Sequence, residues 1–125
     1  MDFVDIEPET GLMSCEKLEK KLHKARREGK LPKIVIPVHL TGSSCNMEKI
    51  GMLANEYGFK VIEDASHAIG GEYKTKKVGS CENSAITIFS FHPVKIITTG
   101  EGGMAMTNDI NLSQKMRELR NHGIV

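Results

Sequence analysis

A chain of 125 residues with 17 basic and 16 acidic side chains, net charge +1, carries no electrostatic bias toward nucleic acid or an anionic membrane. At 39% hydrophobic and 5% aromatic it can bury one ordinary core, which makes it one domain or a piece of one. Three cysteines, Cys15, Cys45 and Cys81, without metal-ligand spacing, and the lack of any bilayer-length apolar run or signal-peptide pattern, predict free thiols in a reducing cytoplasm.

Along the chain, Phe3-Val-Asp-Ile6 predicts a short strand and Pro8-Glu-Thr-Gly11 a turn. Ser14 can cap a helix over 15–28, because Leu18, Leu22 and Ala25 recur at helical spacing and Gly29 can close it. The lysines and arginines gathered here alternate with Glu16, Glu19 and Glu28, a solvated helix face. Lys33 to His39 predicts a buried strand from its β-branched run, cut short by Pro37, which has no N–H for the ladder. Asn46 caps a second helix to about Tyr57, with Met47, Ile50, Leu53 and Ala54 inward and Gly58 beyond its end.

Lys60 to Glu63 predicts the next strand. Strand–helix–strand order implies a right-handed crossover and parallel pairing. Ser84 to Ser90 and Gly103 to Thr107 predict two more strands, joined by a loop that holds Lys95. Asn108 or Asp109 opens a last helix, 110–121, with Leu112, Met116 and Leu119 turned inward. The alternation predicts an α/β layered domain. Ligands of such sheets gather outside the carboxyl ends of the strands, which is where Asp64, Ser90 and the Lys95 loop fall.

Lysine and aspartate at two neighbouring strand ends suit one chemistry. The amine condenses with an aldehyde, and the carboxylate keeps a pyridine nitrogen protonated, as in pyridoxal phosphate enzymes. A nucleophilic Lys95 needs desolvation, for which Val94, Ile96 and Ile97 are at hand. Without the cofactor, Lys95 reads as a loop lysine, Asp64 as the cap of a turn and Ser90 as the end of a strand. Glu63 points to the other face by the period of two and is not nominated. No Gly-Lys-Ser/Thr follows the glycines of Gly100-Glu-Gly-Gly103, so they form no P-loop; they suggest close backbone approach or positive φ. The five histidines do not cluster with acids, and no metal site is expected.

Glu63-Asp64-Ala-Ser-His67-Ala, Phe89-Ser90-Phe-His92-Pro-Val-Lys95 and Gly100-Glu-Gly-Gly103 together resemble the sugar aminotransferase family named for its DegT, DnrJ, EryC1 and StrS members. The resemblance runs from Phe3 to Gly123. Gly71-Glu-Tyr-Lys-Thr-Lys-Lys-Val-Gly79 is similar to the transaminases that make UDP-4-amino-4,6-dideoxy-N-acetyl-altrosamine for pseudaminic acid.

The resemblance implies part of the mixed, mostly parallel sheet of a fold-type I large domain. It implies pyridoxal 5'-phosphate as cofactor, a 4-keto-6-deoxy nucleotide sugar as substrate, glutamate as amino donor and a cytoplasmic homodimer. Lys95 becomes the covalent anchor and proton shuttle, Asp64 the partner of the ring nitrogen and Ser90 a phosphate ligand. His67 stands where many members have glutamine against the ring hydroxyl; the alternative is a structural histidine. His92 and Pro93 shape the loop, with His92 toward the sugar.

The segment of His39 and Arg120-Asn-His122 falls near the family's cleft without an assigned role, and packing is the plainer reading of His39. Family members are longer, with a Gly-Thr phosphate loop ahead of this region and a small domain after it. On that expectation residues 1–125 are a piece of the large domain whose sheet exposes an apolar face. Three alternatives stay open: a dehydratase of the same fold, which has histidine where Lys95 stands; a catalytically silent fragment; and a non-catalytic nucleotide-binding module.

Overall fold

A computed structural model describes residues 1–123. Four strands form the main sheet: β1 (Ile34–Val35), β2 (Lys60–Asp64), β5 (Ile86–Ser90) and β6 (Gly103–Met106). Their order across the sheet is β1-β2-β5-β6, with β1, β2 and β5 parallel and β6 antiparallel to β5. Two further strands, β3 (Glu72–Tyr73) and β4 (Lys76–Lys77), make a separate antiparallel hairpin. The α/β class and the mixed, mostly parallel sheet are as expected.

Helix α1 (Cys15–Glu28) begins where the Ser14 side chain accepts the Lys17 N–H and ends at Gly29 in the left-handed conformation. Helix α2 (Met47–Tyr57) is bounded in the same way by Asn46 and Gly58. Both helices cover one face of the sheet. Leu18 and Leu22 from α1, and Met47, Ile50, Leu53 and Tyr57 from α2, pack with Val35, Val61 and Phe59 into one buried cluster. A smaller cluster of Ala65, Ala68 and Phe89 lies nearer the strand ends.

The opposite face is bare. The register pairs Ile34 with Lys60 and Val38 with Asp64, so Ile34, Ile36 and Val38 share that face with Ile62 and Ile88. Ile34, Ile36, Val38 and Ile88 are all more than two-fifths exposed. The expected buried strand at 33–39 is therefore buried on one side only. Its regular part stops at Val35, and Val38 adds a single bridge beyond Pro37.

Three expectations need correction. Phe3 to Ile6 forms no strand; Ile6 makes one isolated bridge to Met13, and Phe3 lies open to water. The last helix, α3 (Ile110–Arg120), is capped by Asp109 as expected but buries no residue, and Leu119 is 67% exposed. Leu112 and Met116, expected to face inward, are half-buried. The β3–β4 hairpin was not foreseen: its turn uses Lys74 at φ 54°, with no Asn-Gly pair to announce it.

Candidate active site

The carboxyl ends of β2 and β5 lie side by side, Asp64 opposite Ile88. Alternation along the strands puts Asp64, Ile88 and Ser90 on the bare face and Glu63, Thr87 and Phe89 on the helix face. The main chain of Asp64 is held twice by the segment that continues β1. Its N–H donates to Pro37 O at 2.9 Å and its carbonyl accepts the His39 N–H at 2.9 Å. The next residue, Ala65, donates to Ile88 O at 2.8 Å. In the side chain, Oδ1 accepts from the Ser66 N–H at 3.1 Å and the Ser66 hydroxyl at 2.6 Å. The turn-capping role is thus real, but it uses one oxygen. Among the described residues Oδ2 accepts no hydrogen bond.

Lys95 sits half-buried in the loop between β5 and β6. The loop is closed at its neck, where Phe91 N–H donates to Gly102 O at 2.8 Å. It is cinched by Thr98 Oγ1 and Thr99 N–H, which both donate to Phe91 O. Lys95 itself donates its N–H to His92 O at 2.9 Å. Its amine makes neither a hydrogen bond nor an ion pair with a described residue. Val94, Ile96 and Ile97 are at least half exposed, so they do not wall the amine from water as expected.

The glycines do what their spacing suggested. Gly100 has φ 82°. A Cβ on Gly102 would lie 2.3 Å from Thr99 Oγ1, and one on Gly103 would lie 2.9 Å from Phe89 O. The backbone oxygen leaves no room for a side chain at Gly103, and one at Gly102 would have to turn Thr99 Oγ1 away from its bond to Glu101 O.

Register brings Asp64 and Ser90 together. His67 and Lys95 follow them by short connections and hydrogen-bond to neither of them among the described residues. His67 is half-buried in the turn after Asp64. Its carbonyl backs onto the chain at Gly42, where a Cβ would come within 3.0 Å of it. His92 is exposed and accepts the Val94 N–H weakly at 3.4 Å, a loop-shaping contact. Ser90 Oγ accepts a similarly long bond from His92 N–H.

A buried polar group on the helix face escaped the sequence reading. Glu63 Oε2 lies 2.7 Å from His39 Nε2. Glu63 Oε1 accepts from Thr87 Oγ1 at 2.8 Å and from the Ser84 hydroxyl. His39 Nδ1 accepts the Cys45 N–H at 3.2 Å. His39 is 0% exposed and Glu63 6%. The signal was present: an acid in an apolar strand, pointing inward, must find donors.

Burial raises the Glu63 pKa, but the hydrogen bonds from His39, Ser84 and Thr87 outweigh it and leave it lowered. Burial lowers the His39 pKa and the Glu63 carboxylate raises it. A charged ring would need a proton on Nδ1, where the Cys45 N–H already points. The hydrogen-bond geometry is that of a neutral ring with its proton on Nε2.

An amine without a protein partner, a carboxylate with one oxygen unused and a hydroxyl at the next strand end fit a pyridine ring with an aldehyde and a phosphate. The fold is that of the pyridoxal-phosphate-dependent aminotransferases. The chain belongs to the DegT/DnrJ/EryC1/StrS aminotransferase family, whose model matches residues 2–125.

Over 125 residues the chain is 45% identical to the UDP-4-amino-4,6-dideoxy-N-acetyl-beta-L-altrosamine transaminase of Campylobacter jejuni serotype O:23/36, covering 100% of this chain and 32% of that protein. Helicobacter pylori PseC, an aminotransferase involved in the biosynthesis of pseudoaminic acid, superposes with a TM-score of 0.88 at 35% identity, over 99% of this chain and 31% of its own. Bacillus subtilis NtdA, with bound cofactor PMP, gives 0.77 at 30% identity over 94% and 24%. The chain therefore spans about a third or less of the length of these relatives.

Proposed function

We propose that the protein carrying this chain is an aminotransferase that uses pyridoxal phosphate to aminate a 4-keto-6-deoxy nucleotide sugar. One observation supports the reading: Asp64 ends β2, Lys95 lies in the loop that leaves the carboxyl end of its parallel neighbour β5, and each has a polar group that the described residues leave unengaged. When bound, the cofactor supplies an electron sink and a covalent handle for the amino group.

Asp64 would hold the ring nitrogen in its protonated form through Oδ2, while Oδ1 stays tied to Ser66 and fixes the carboxylate's direction. Ser90 donates its hydroxyl to the phosphate. His67 hydrogen-bonds the ring hydroxyl from one imidazole nitrogen. Lys95 would hold the cofactor through its amine, which would also serve as general acid and base. Glutamate is the amino donor, on the family pattern. The sugar is a UDP-linked precursor of pseudaminic acid, supported by the similarity to the Campylobacter jejuni transaminase. The enzyme works in the cytoplasm as a homodimer; the free Cys15, Cys45 and Cys81 suit a reducing compartment, and the bare sheet face offers surface for further packing.

Borohydride reduction of the full-length protein with pyridoxal phosphate, followed by peptide mass mapping, tests this. The expected result is a reduced adduct on the peptide containing Lys95. An adduct elsewhere, or none, contradicts the assignment.

A further inference from the structure

The strands that carry the site do not define their own register by hydrophobicity. Ile34 and Val35, Val61 and Ile62, and Ile88 and Phe89 put apolar side chains on both faces of the sheet. A slip of one residue in β2 would exchange Val61 for Ile62 on the covered face, so the apolar side chains do not fix the register; the polar ones do, because the slip would also turn Lys60 and Asp64 from the bare face into the core. Among the described residues, Glu63, the residue before Asp64, is the one buried acid of this sheet. It is bonded on one side to His39, which continues β1, and on the other to Thr87 of β5 and to Ser84. A buried carboxylate–imidazole contact is no more stabilising than a well-packed apolar pair, and its known use is to specify a register.

We propose that His39 and Glu63 are positioning residues: a buried cross-strand tie that fixes β2 between its neighbours and thereby holds the Asp64 carboxylate toward the cofactor. His39 acts twice. Its amide N–H bonds the Asp64 carbonyl at 2.9 Å, and its ring bonds the side chain of the residue before. The ring is itself oriented by the Cys45 N–H, whose residue also ties back through its thiol to Val38 O at 3.2 Å. A slip of one residue would turn Glu63 out to the bare face, break its contacts with His39, Ser84 and Thr87 together, and leave those polar groups without the carboxylate they meet. The inference rests on the reading of Asp64 as the partner of the ring nitrogen.

The test uses the full-length protein loaded with pyridoxal phosphate and compares Glu63→Gln with Leu53→Ala. The first keeps the shape at Glu63 but breaks the donor pattern. The second truncates the same core from α2, where Leu53 is buried, without touching the tie. The readouts are the pH midpoint of the Lys95-dependent visible band and the hydrogen-exchange rates of the Asp64 and Ala65 amides.

With Asp64 displaced, the ring nitrogen loses its proton more readily and the midpoint in Glu63→Gln rises by about one pH unit. Exchange at Asp64 and Ala65 speeds up by about tenfold. Leu53→Ala lowers the melting temperature and leaves the midpoint where it was. An unmoved midpoint in Glu63→Gln, or an equal shift in Leu53→Ala, overturns the proposal. If Glu63→Gln does not fold, Thr87→Val, which removes one donor and keeps the volume, must shift the midpoint in the same direction; no shift overturns it. A wild-type protein with no Lys95-dependent band overturns the cofactor reading and this inference with it, whereas a normal wild-type band with unshifted variants overturns this inference alone.

Discussion

Ser90 lies two residues beyond Ile88, the register partner of Asp64, so the hydroxyl and the carboxylate face the same side of the sheet at adjacent strand ends. Neither depends on the other for its place. Asp64 is held by Pro37 and His39 through its main chain, and Ser90 by pairing with Gly103.

Asp64→Asn therefore separates fold from function. Asparagine keeps the oxygen that accepts from Ser66 and loses the charge that would face a protonated ring nitrogen. The thermal stability of the cofactor-free protein should stay within about 0.5 kcal/mol of wild type. Affinity for pyridoxal phosphate, followed by fluorescence titration of the full-length protein, should fall about tenfold or more. Ser90→Ala should weaken it less, by about threefold to tenfold, as one neutral hydrogen bond is lost.

Gly103 supports the site by having no side chain. A Cβ there would come within 2.9 Å of the Phe89 carbonyl oxygen, a backbone atom that cannot rotate away. Gly103→Ala should force β6 from the end of β5, cost about 1–3 kcal/mol in urea unfolding and disturb Ser90, which pairs with it. A full-stability Gly103→Ala protein would show that the strand end yields without strain.

Acid should weaken the tie at Glu63. Its carboxyl group titrates below its ordinary value of 4.5 because the donors around it outweigh burial. A carboxylate with a depressed folded pKa contributes stability that is fully present above the unfolded value and is lost as pH falls through the folded one. Wild type should thus lose more stability than Glu63→Gln between neutral pH and a pH below 4.5. Asp2, Asp5, Glu16 and Glu72 also have lowered pKa values, so the quantity to measure is the difference between the two proteins. Parallel pH curves would show that Glu63 does not stabilise its charged form.

The helices were legible because their boundaries are local. Ser14 with Gly29, and Asn46 with Gly58, are caps whose chemistry acts within one turn. The order of the main-sheet strands after Lys33, the loop with Lys95 and the glycine contacts also followed from local pattern. What stayed hidden was set at long range. In α3, Leu112 and Met116 are half-buried but Leu119, read as inward from the same spacing, is exposed, because periodicity names a stripe and not how much of it is covered. The β3–β4 hairpin turns at Lys74, a residue that rarely takes positive φ. Val94, Ile96 and Ile97 look like a wall for Lys95 in sequence but project outward from a closed loop. His39 and Glu63 meet only when β1 and β2 pair, so neither residue announced the other.

The central claim is that Lys95 anchors pyridoxal phosphate opposite Asp64. The most direct measurement is the visible absorption spectrum of the full-length protein with added pyridoxal phosphate, wild type beside Lys95→Ala. The account predicts a band in the wild type that is absent from the variant and that reduction with borohydride removes. Identical spectra from the two proteins would contradict it.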